Sequence, residues 1–349
     1  MNLRPARPAG TLIISRVVFA LALVLLLALL PPLDYRYFAD AARAWRQDPA
    51  SLYTPAVNQF FYAPWSLLLL VPLSLLPDRL GQALLNLLSL AGLLWGVRAL
   101  VQPLSRTALV LALATPFTAS IVLLGQWDAL VLGGVGLGLY GLERRRPWLV
   151  GLALVLIGTK PTNALFVGLA LLYAMRAWSP RDLAKAVALP LAALLGSFAL
   201  CGLDWPQRYI LYLRESPPAG YNIALWLLPG APFWLAALGL ILIAVLALRL
   251  HHGELDGPVL VQVLLLSLLL SPFLTPYHFV LLAPALAWIA QHSPRAGLWL
   301  WVAGLVAFAI TLFGRVPLAL DGFLLLVCGL MFVPSGVLQG RNAPQSRST

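Results

Sequence analysis

The chain has 349 residues, of which 61% are hydrophobic and only 10% are charged, whereas soluble domains carry about 25% charged residues. This composition cannot cover a water-soluble surface, so a soluble globular fold is excluded. The formal net charge of +11 would indicate nucleic-acid binding in a soluble protein. Here the basic residues lie in short loops between apolar runs, which is typical of topology signals and of contacts with anionic membrane lipids. No nucleic-acid partner is expected.

Apolar runs approaching the roughly 20 residues that a membrane-spanning helix needs recur along the chain with short breaks. The thirteen candidates cover residues 12–33, 62–77, 80–97, 107–124, 127–142, 147–159, 162–175, 186–202, 229–249, 258–273, 279–291, 297–313 and 320–337. They leave almost no room for a soluble domain, so we expect one integral membrane domain over residues 1–349. The first run is long and lacks a small-residue cleavage site, which predicts a retained helix and not a signal peptide.

The basic loops predict the topology. The positive-inside rule places the amino terminus, residues 143–146, 176–185 and 249–252, the Arg295 turn and Arg341 on the cytoplasmic side. Five runs precede residue 143, yet two cytoplasmic ends require an even number of crossings. We therefore expect a broken or re-entrant segment at residues 115–126, because Pro116 interrupts a helix and non-helical backbone is tolerated where protein or water covers it. The prediction is an all-α bundle of about twelve transmembrane helices.

The first outer loop, residues 34–61, is the longest polar stretch of the chain. One set of its residues recurs at helical spacing: Tyr37, Ala41, Ala44 and Trp45. The opposite face carries Arg36, Asp40, Arg43 and Arg46. This pattern predicts an amphipathic helix lying in the membrane interface.

Asp34 is the first candidate for chemistry, because a charge at membrane depth needs a partner or a purpose. It follows Pro31 and Pro32 at the outer end of the first helix, with the aromatic Tyr37 nearby. A carboxylate held there could act as a general base or bind a metal. The alternative is that Asp34 is simply the first polar residue beyond the membrane boundary.

Two further residues suit an anionic ligand. Lys160 lies between two apolar runs and is followed by Pro161, which breaks the helix and leaves backbone groups without helical partners. An ammonium beside such groups suits a lipid-linked phosphate. The alternative is a lysine whose side chain snorkels to the membrane interface. His278 is the one histidine that the predicted topology places on the outer face. It could donate to phosphate or merely cap a helix end.

Polar groups also gather at two other outer positions. The sequence Gly-Gln-Trp-Asp at residues 125–128 places an amide, an indole and an acid in one turn, which suits sugar recognition. Gln126 and Asp128 are therefore candidate substrate-binding residues. The alternative is that Trp127 is one of the tryptophans that commonly lie at a membrane interface without any such role. Arg208, in the loop beginning at Asp204, could meet an acceptor or a lipid headgroup, or could be solvated.

The motifs of soluble enzymes are missing from the sequence. No zinc-ligand spacing, phosphate-binding glycine loop or serine-nucleophile elbow occurs in a suitable context. Cys201 and Cys328 both lie in apolar runs and form no disulfide framework. We therefore expect neither a metal site nor a cofactor.

The order of several short motifs resembles glycosyltransferase family 87, whose members are GT-C membrane enzymes, many of them α-mannosyltransferases that use polyprenyl-phosphate-mannose. The matching motifs are D-Y-R-Y at 34–37, S-L-Y at 51–53, F-F-Y-A-P-W at 60–65, P-L-S-L-L-P at 72–77, G-Q at 125–126, K-P at 160–161, and S-P with Y-H at 271–278. The sequence departs from the family pattern at Ala63 and Asn163, where prolines are frequent, and one histidine replaces a frequent pair.

The resemblance implies a function. Asp34 would be the general base that activates an acceptor hydroxyl for an inverting displacement. Lys160 and His278 would lie near the donor phosphate, and Gln126 near the sugar or lipid, with Tyr37 and Tyr62 of the matching motifs as further substrate contacts.

The expected partners are a polyprenyl-phosphate-sugar donor, a lipid or glycan acceptor and membrane lipids. The expected site is the outer face of a bacterial inner membrane. A transporter or lipid flippase is the alternative, because transporters also build sites from broken helices.

Overall fold

A computed structural model describes residues 21–54, 57, 60–215, 224, several positions between 236 and 247, 255–314, 316 and 318–332. Within those ranges the chain contains helices and connecting turns but no β-strand, which confirms the predicted all-α class. Several predicted features lie outside the described residues: positions 12–20 of the first run, most of the run at 229–249, residues 249–252, positions 333–337 of the last run, and Arg341.

Most of the described helices are joined by short connections, except that longer segments separate α2 from α3 and α11 from α12. Further helical residues lie among the described positions between 236 and 247. Residues 21–27 form α1. The other helices are α2 (Tyr35–Gln47), α3 (Leu67–Ser74), α4 (Asp78–Leu100), α5 (Arg106–Leu113), α6 (Pro116–Leu124), α7 (Asp128–Glu143), α8 (Pro147–Ile157), α9 (Pro161–Ala174), α10 (Pro180–Cys201), α11 (Trp205–Glu215), α12 (Gly257–Leu269), α13 (Ala283–His292), α14 (Pro294–Gly314) and α15 (Leu318–Phe332). Short 3₁₀ segments lie at Pro49–Ser51, Pro64–Ser66, Met175–Ala177 and Pro276–Leu282.

By length and hydropathy, three described helices could each cross a membrane: Asp78–Leu100, Pro180–Cys201 and Pro294–Phe313. The bent pair α5 and α6 raises this number to four if it forms one span. The predicted number of about twelve is therefore not confirmed. Other apolar helices are short, such as Pro147–Ile157 and Gly257–Leu269, because proline and polar breaks divide the apolar runs into pieces below the length of a full span.

The predicted interruption at Thr115 and Pro116 is present. Helices α5 and α6 meet there at an angle of 50°, and the Thr115 hydroxyl caps α6 by accepting a hydrogen bond from the Thr118 backbone N–H. Gly125 ends α6 in the left-handed region, with φ of 75°, a conformation that favours glycine. The chain then turns into α7 at the level of the polar residues 126–128.

Helices α4 and α7 pack closely through glycines. A side chain on Gly96 would place its Cβ 2.6 Å from the carbonyl oxygen of Leu132, and one on Gly92 would lie 2.8 Å from that of Ala129. Across the contact, a Cβ on Gly136 would lie 2.9 Å from the Cα of Gly96. Small residues let two helix backbones approach in this way, which is typical of membrane proteins.

Helix α2 is amphipathic, and its predicted apolar residues all pack in or against the core, although only Ala41 among them is fully buried. The fully buried residues are Tyr35, Phe38, Ala39, Ala41 and Ala42, whereas the predicted Tyr37, Ala44 and Trp45 are only partly buried. The buried set follows the i, i+3, i+4, i+7 spacing of a helix face that packs against protein. Its neighbours include α3 and the buried ring of Trp127.

Large apolar side chains cover much of the outer surface of the bundle. Examples are Leu29, Leu68, Trp299 and Phe313, which are 65–83% exposed. Exposed apolar patches on this scale would be unfavourable in water, and they match the hydrocarbon interior of a bilayer.

Side chains of α11 donate hydrogen bonds to backbone carbonyl oxygens of the first loop. Tyr209 donates to the carbonyl of Phe61 (3.2 Å) and Tyr212 to that of Val57 (3.0 Å). Within the loop, Tyr53 donates to the carbonyl of Tyr62 at 2.5 Å. These bonds hold the loop above the polar end of α7.

Candidate active site

A cavity of about 400 Å³ opens beside the start of α2. Its lining comes from six parts of the chain: the start of α2, residues 61–62, α6 with the turn after it, the start of α9, the segment at residues 273–278, and α14. The polar and charged side chains among the lining residues are Asp34, Tyr37, Tyr62, Ser120, Gln126, Lys160, Thr162, Asn163, Thr275, Tyr277 and His278. Asp34, Gln126, Lys160 and His278, which the sequence placed on one face, therefore meet in one cavity.

Asp34 is held by the end of α6. Its backbone N–H donates to the carbonyl of Leu124 at 3.0 Å, and its Oδ2 accepts a hydrogen bond from Gln126 Nε2 at 2.7 Å. Burial raises the pKa of Asp34 above its ordinary value, although the Gln126 bond and the positive charge of Lys160 both act in the opposite direction. In the described part of the chain, Asp34 is the one carboxylate that lines the cavity.

Gln126 links this carboxylate to the cation. Its Oε1 accepts hydrogen bonds from Lys160 Nζ and from the hydroxyl of Tyr62, both at 3.2 Å. Its Nε2 is turned towards Asp34, and the side chain is almost fully buried. The amide therefore orients the groups around it, and this network accounts for most of its hydrogen-bonding capacity.

Lys160 is buried and paired with Asp128. The distance from Lys160 Nζ to Asp128 Oδ2 is 2.6 Å, and the two side chains are only 3% and 0% exposed. The ammonium also lies 4.7 Å from the ring centre of Tyr62 and 5.1 Å from that of Tyr277, which adds cation–π attraction. A lysine that snorkels to the interface would have an exposed ammonium, so that alternative is excluded.

His278 performs the capping role and also faces the cavity. Its Nδ1 accepts a hydrogen bond from the Thr275 backbone N–H at 3.0 Å, so in the neutral ring the proton is on Nε2. That Nε2 lies 3.6 Å from Asp128 Oδ1. The two alternatives from the sequence are compatible, because one nitrogen caps the 3₁₀ segment while the other remains a donor.

Two predicted substrate contacts are corrected by the structure. Asp128 does not line the cavity: it is fully buried behind Lys160, because a buried ammonium requires a counter-ion. Arg208 does not line it either. Its guanidinium donates to the carbonyls of Ala50, Leu52 and Cys201 and pairs with Asp204. Tyr37 and Tyr62 do line the cavity.

Sequence reasoning gave no role to five of the polar lining residues, which are Ser120, Thr162, Asn163, Thr275 and Tyr277. Tyr277 stood in the motif next to His278 but received no role, and Asn163 was noted only where it departs from the family pattern. The signal for Asn163 was its position in the first turn after Lys160 and Pro161. In the described ranges, no three His, Cys, Asp or Glu side chains form a group suited to a metal ion.

The fold and the cavity together define an integral membrane protein with a buried polar site at one end of an apolar helical bundle. The sequence profile of glycosyltransferase family 87 matches residues 60–272, more than half of the chain. The chain belongs to glycosyltransferase family 87 and is a membrane glycosyltransferase. The resemblance found in the sequence is thereby confirmed, and the transporter alternative receives no support.

No curated protein and no solved structure matches the chain. Tyr62, Gln126 and Lys160 lie inside the matched range, whereas Asp34, Tyr37 and His278 lie outside it. The roles of the latter three therefore depend on the geometry of the cavity.

Proposed function

We propose that the protein transfers a sugar, mannose by the family resemblance, from a polyprenyl-phosphate donor to a lipid or glycan acceptor on the outer face of the inner membrane. The observation that carries this proposal is Asp34, the one carboxylate that lines the cavity within the described residues, joined through Gln126 to the buried ammonium of Lys160. One carboxylate beside one cation suits a direct displacement, which inverts the configuration at the sugar carbon.

In the proposed reaction, Asp34 takes the proton from the acceptor hydroxyl while the acceptor oxygen attacks the anomeric carbon. The bond from that carbon to the phosphate oxygen breaks, and polyprenyl phosphate leaves with the electron pair. Lys160 Nζ and His278 Nε2–H stabilise the negative charge that develops on the phosphate. The leaving group is already good, so no separate general acid is required.

A second cavity supports a lipid-linked donor. It has a volume of about 590 Å³, is lined mainly by apolar side chains such as Leu165, Phe166 and Leu240, and shares Thr162 with the polar cavity. A ligand with a phosphate head and a long hydrocarbon chain fits two adjoining cavities of such different polarity.

The proposal is tested by reconstituting the purified protein and measuring transfer of labelled mannose from polyprenyl-phosphate-mannose to lipid acceptors. Asp34→Asn keeps the shape but removes the base, so we expect a loss of about 10²-fold or more. Asp40→Asn, on the exposed face of α2, is the matched control and should keep the wild-type rate. Full activity of Asp34→Asn would refute the role of the base, and an inactive wild type with several polyprenyl-phosphate sugars would refute the donor class.

A further inference from the structure

Asn163 carries a buried hydrogen-bond donor that the protein leaves without a partner. The side chain is 1% exposed and lines the polar cavity. Its Nδ2 has no hydrogen-bond acceptor among the described residues. A buried N–H group without a partner is unfavourable by about 1–3 kcal/mol, and such groups are rare in native structures, so this donor indicates a ligand.

The orientation of the amide follows from its other end. Asn163 Oδ1 accepts a hydrogen bond from the Thr162 hydroxyl at 3.3 Å. The Ser271 hydroxyl shares its proton between the same oxygen, at 3.2 Å, and the carbonyl of Phe273, at 2.6 Å. With Oδ1 accepting from these hydroxyls, Nδ2 is the end of the amide that remains available to the cavity.

The surroundings of this donor favour an anion. Asn163 lies at the start of α9, shortly after Lys160 and directly before Ala164, whose backbone is not helical (φ −142°, ψ 20°). The buried ammonium of Lys160 places a positive charge beside this part of the cavity, which Asp128 at 2.6 Å balances in part. A neutral sugar hydroxyl gains less from this field than a phosphate oxygen does.

We propose that Asn163 Nδ2 donates a hydrogen bond to the phosphate of the lipid-linked donor, forming an anion site with Lys160. This inference depends on the proposed function and names a further substrate-binding residue for it. Asn163 holds the phosphate from the side opposite to its bonds with Thr162 and Ser271, so it contributes directed binding that a flexible ammonium does not.

The test measures equilibrium binding of polyprenyl phosphate, which has no sugar, of polyprenyl-phosphate-mannose and of the uncharged polyprenol to the full-length protein in nanodiscs. Asn163→Asp preserves the oxygen that accepts from Thr162 and Ser271 but replaces the donor by an acceptor. We expect it to weaken polyprenyl phosphate binding by about tenfold or more, with polyprenol binding unchanged. Asn163→Ala removes the donor without adding a charge, so it should weaken polyprenyl phosphate binding by a smaller factor. It replaces Asn163→Asp in the test if the aspartate variant fails to fold.

Three results would overturn the inference. Wild-type affinity of Asn163→Ala for polyprenyl phosphate would show that the amide does not bind phosphate. A loss confined to the sugar-bearing donor would assign the amide to the sugar. An equal loss for polyprenol would indicate a structural role.

The assay requires no turnover, so it separates this inference from the transfer reaction. A wild type that binds polyprenyl phosphate no better than polyprenol would refute the donor class itself.

Discussion

The carboxylate of Asp34 has to ionise in a partly buried position, and this determines how the activity should depend on pH. Burial raises the pKa of Asp34 above the ordinary value of 3.8, and a protonated carboxyl cannot accept the acceptor proton. We therefore expect kcat/KM to fall as the pH is lowered through a midpoint above 3.8. Because the Gln126 hydrogen bond stabilises the carboxylate, Gln126→Leu should move this midpoint to higher pH.

The pH profile of kcat/KM for the wild type and for Gln126→Leu tests this expectation. A midpoint at or below 3.8, or a shift to lower pH in the variant, would contradict the role of Gln126 as the residue that keeps the base ionised.

The buried pair of Lys160 and Asp128 makes a second residue-level prediction. Removal of one partner from a buried ion pair is destabilising by about 3–5 kcal/mol, whereas replacement of both is often neutral. Lys160→Met should therefore lower the unfolding temperature strongly, and the double variant with Asp128→Asn should recover most of it. Sugar transfer should be lost in both proteins, because the cation is missing from both.

Thermal unfolding in detergent and the transfer assay provide the two measurements. Lys185→Met is the control, because Lys185 and Asp182 form a half-exposed pair and such pairs contribute about 0–1 kcal/mol. A double variant as unstable as Lys160→Met alone would show that the pairing is not what makes the single change harmful.

At this scale the sequence predicted which residues meet but not how they are paired. Asp34, Gln126, Lys160 and His278 could be placed on one face because each follows or precedes an apolar run. The sequence shows a charge without its counter-ion, so Asp128 was assigned to substrate although its partner is 32 positions away. Arg208 was also assigned to substrate. Its hydrogen-bond acceptors are backbone carbonyls, which no pattern of side chains in a sequence reveals.

Among the helices, the contact between α4 and α7 is the most sensitive to side-chain size. A Cβ on Gly96 would lie 2.6 Å from the Leu132 carbonyl oxygen, whereas one on Gly196 in α10 would meet no atom within 4 Å. We expect Gly96→Val to destabilise the protein by about 1–3 kcal/mol and Gly196→Val to leave the unfolding temperature close to that of the wild type. Equal effects of the two changes in thermal unfolding would contradict the close packing of these helices.

The positions of the helices were largely predictable, but their lengths were not. Apolar runs indicate where helices lie, and Pro116 correctly indicated a break. Hydropathy does not show where the backbone changes direction, however. Apolar runs that look long enough to cross the membrane are therefore divided into shorter helices in the structure. The most deeply buried residues of α2, apart from Ala41, were not singled out, because its alanines are compatible with either face until the neighbouring ring of Trp127 is known.

The two ends of the whole bundle should face opposite sides of the membrane. Helix α7 has 16 residues, about 24 Å at 1.5 Å per residue, and it runs from the polar cavity to the basic turn at Arg144. A membrane-impermeant maleimide added to intact cells should therefore label Asp204→Cys but not Arg144→Cys, which should react only after permeabilisation. The native cysteines Cys201 and Cys328 are buried, so the wild type provides an unlabelled background.

Labelling of both introduced cysteines from the same side would contradict the predicted topology. Labelling of Arg144→Cys alone would place the active site on the cytoplasmic face.

The hydrogen bonds that hold the first loop have a consequence for how this enzyme can diversify. Arg208, Tyr209 and Tyr212 donate to main-chain oxygens of the loop, and every amino acid supplies such an oxygen. Mutation of loop residues such as Ala50 or Phe61 therefore leaves these anchors intact. Selection can change the side chains that the loop exposes while the loop stays in position, so related proteins can vary this surface without disturbing the polar cavity.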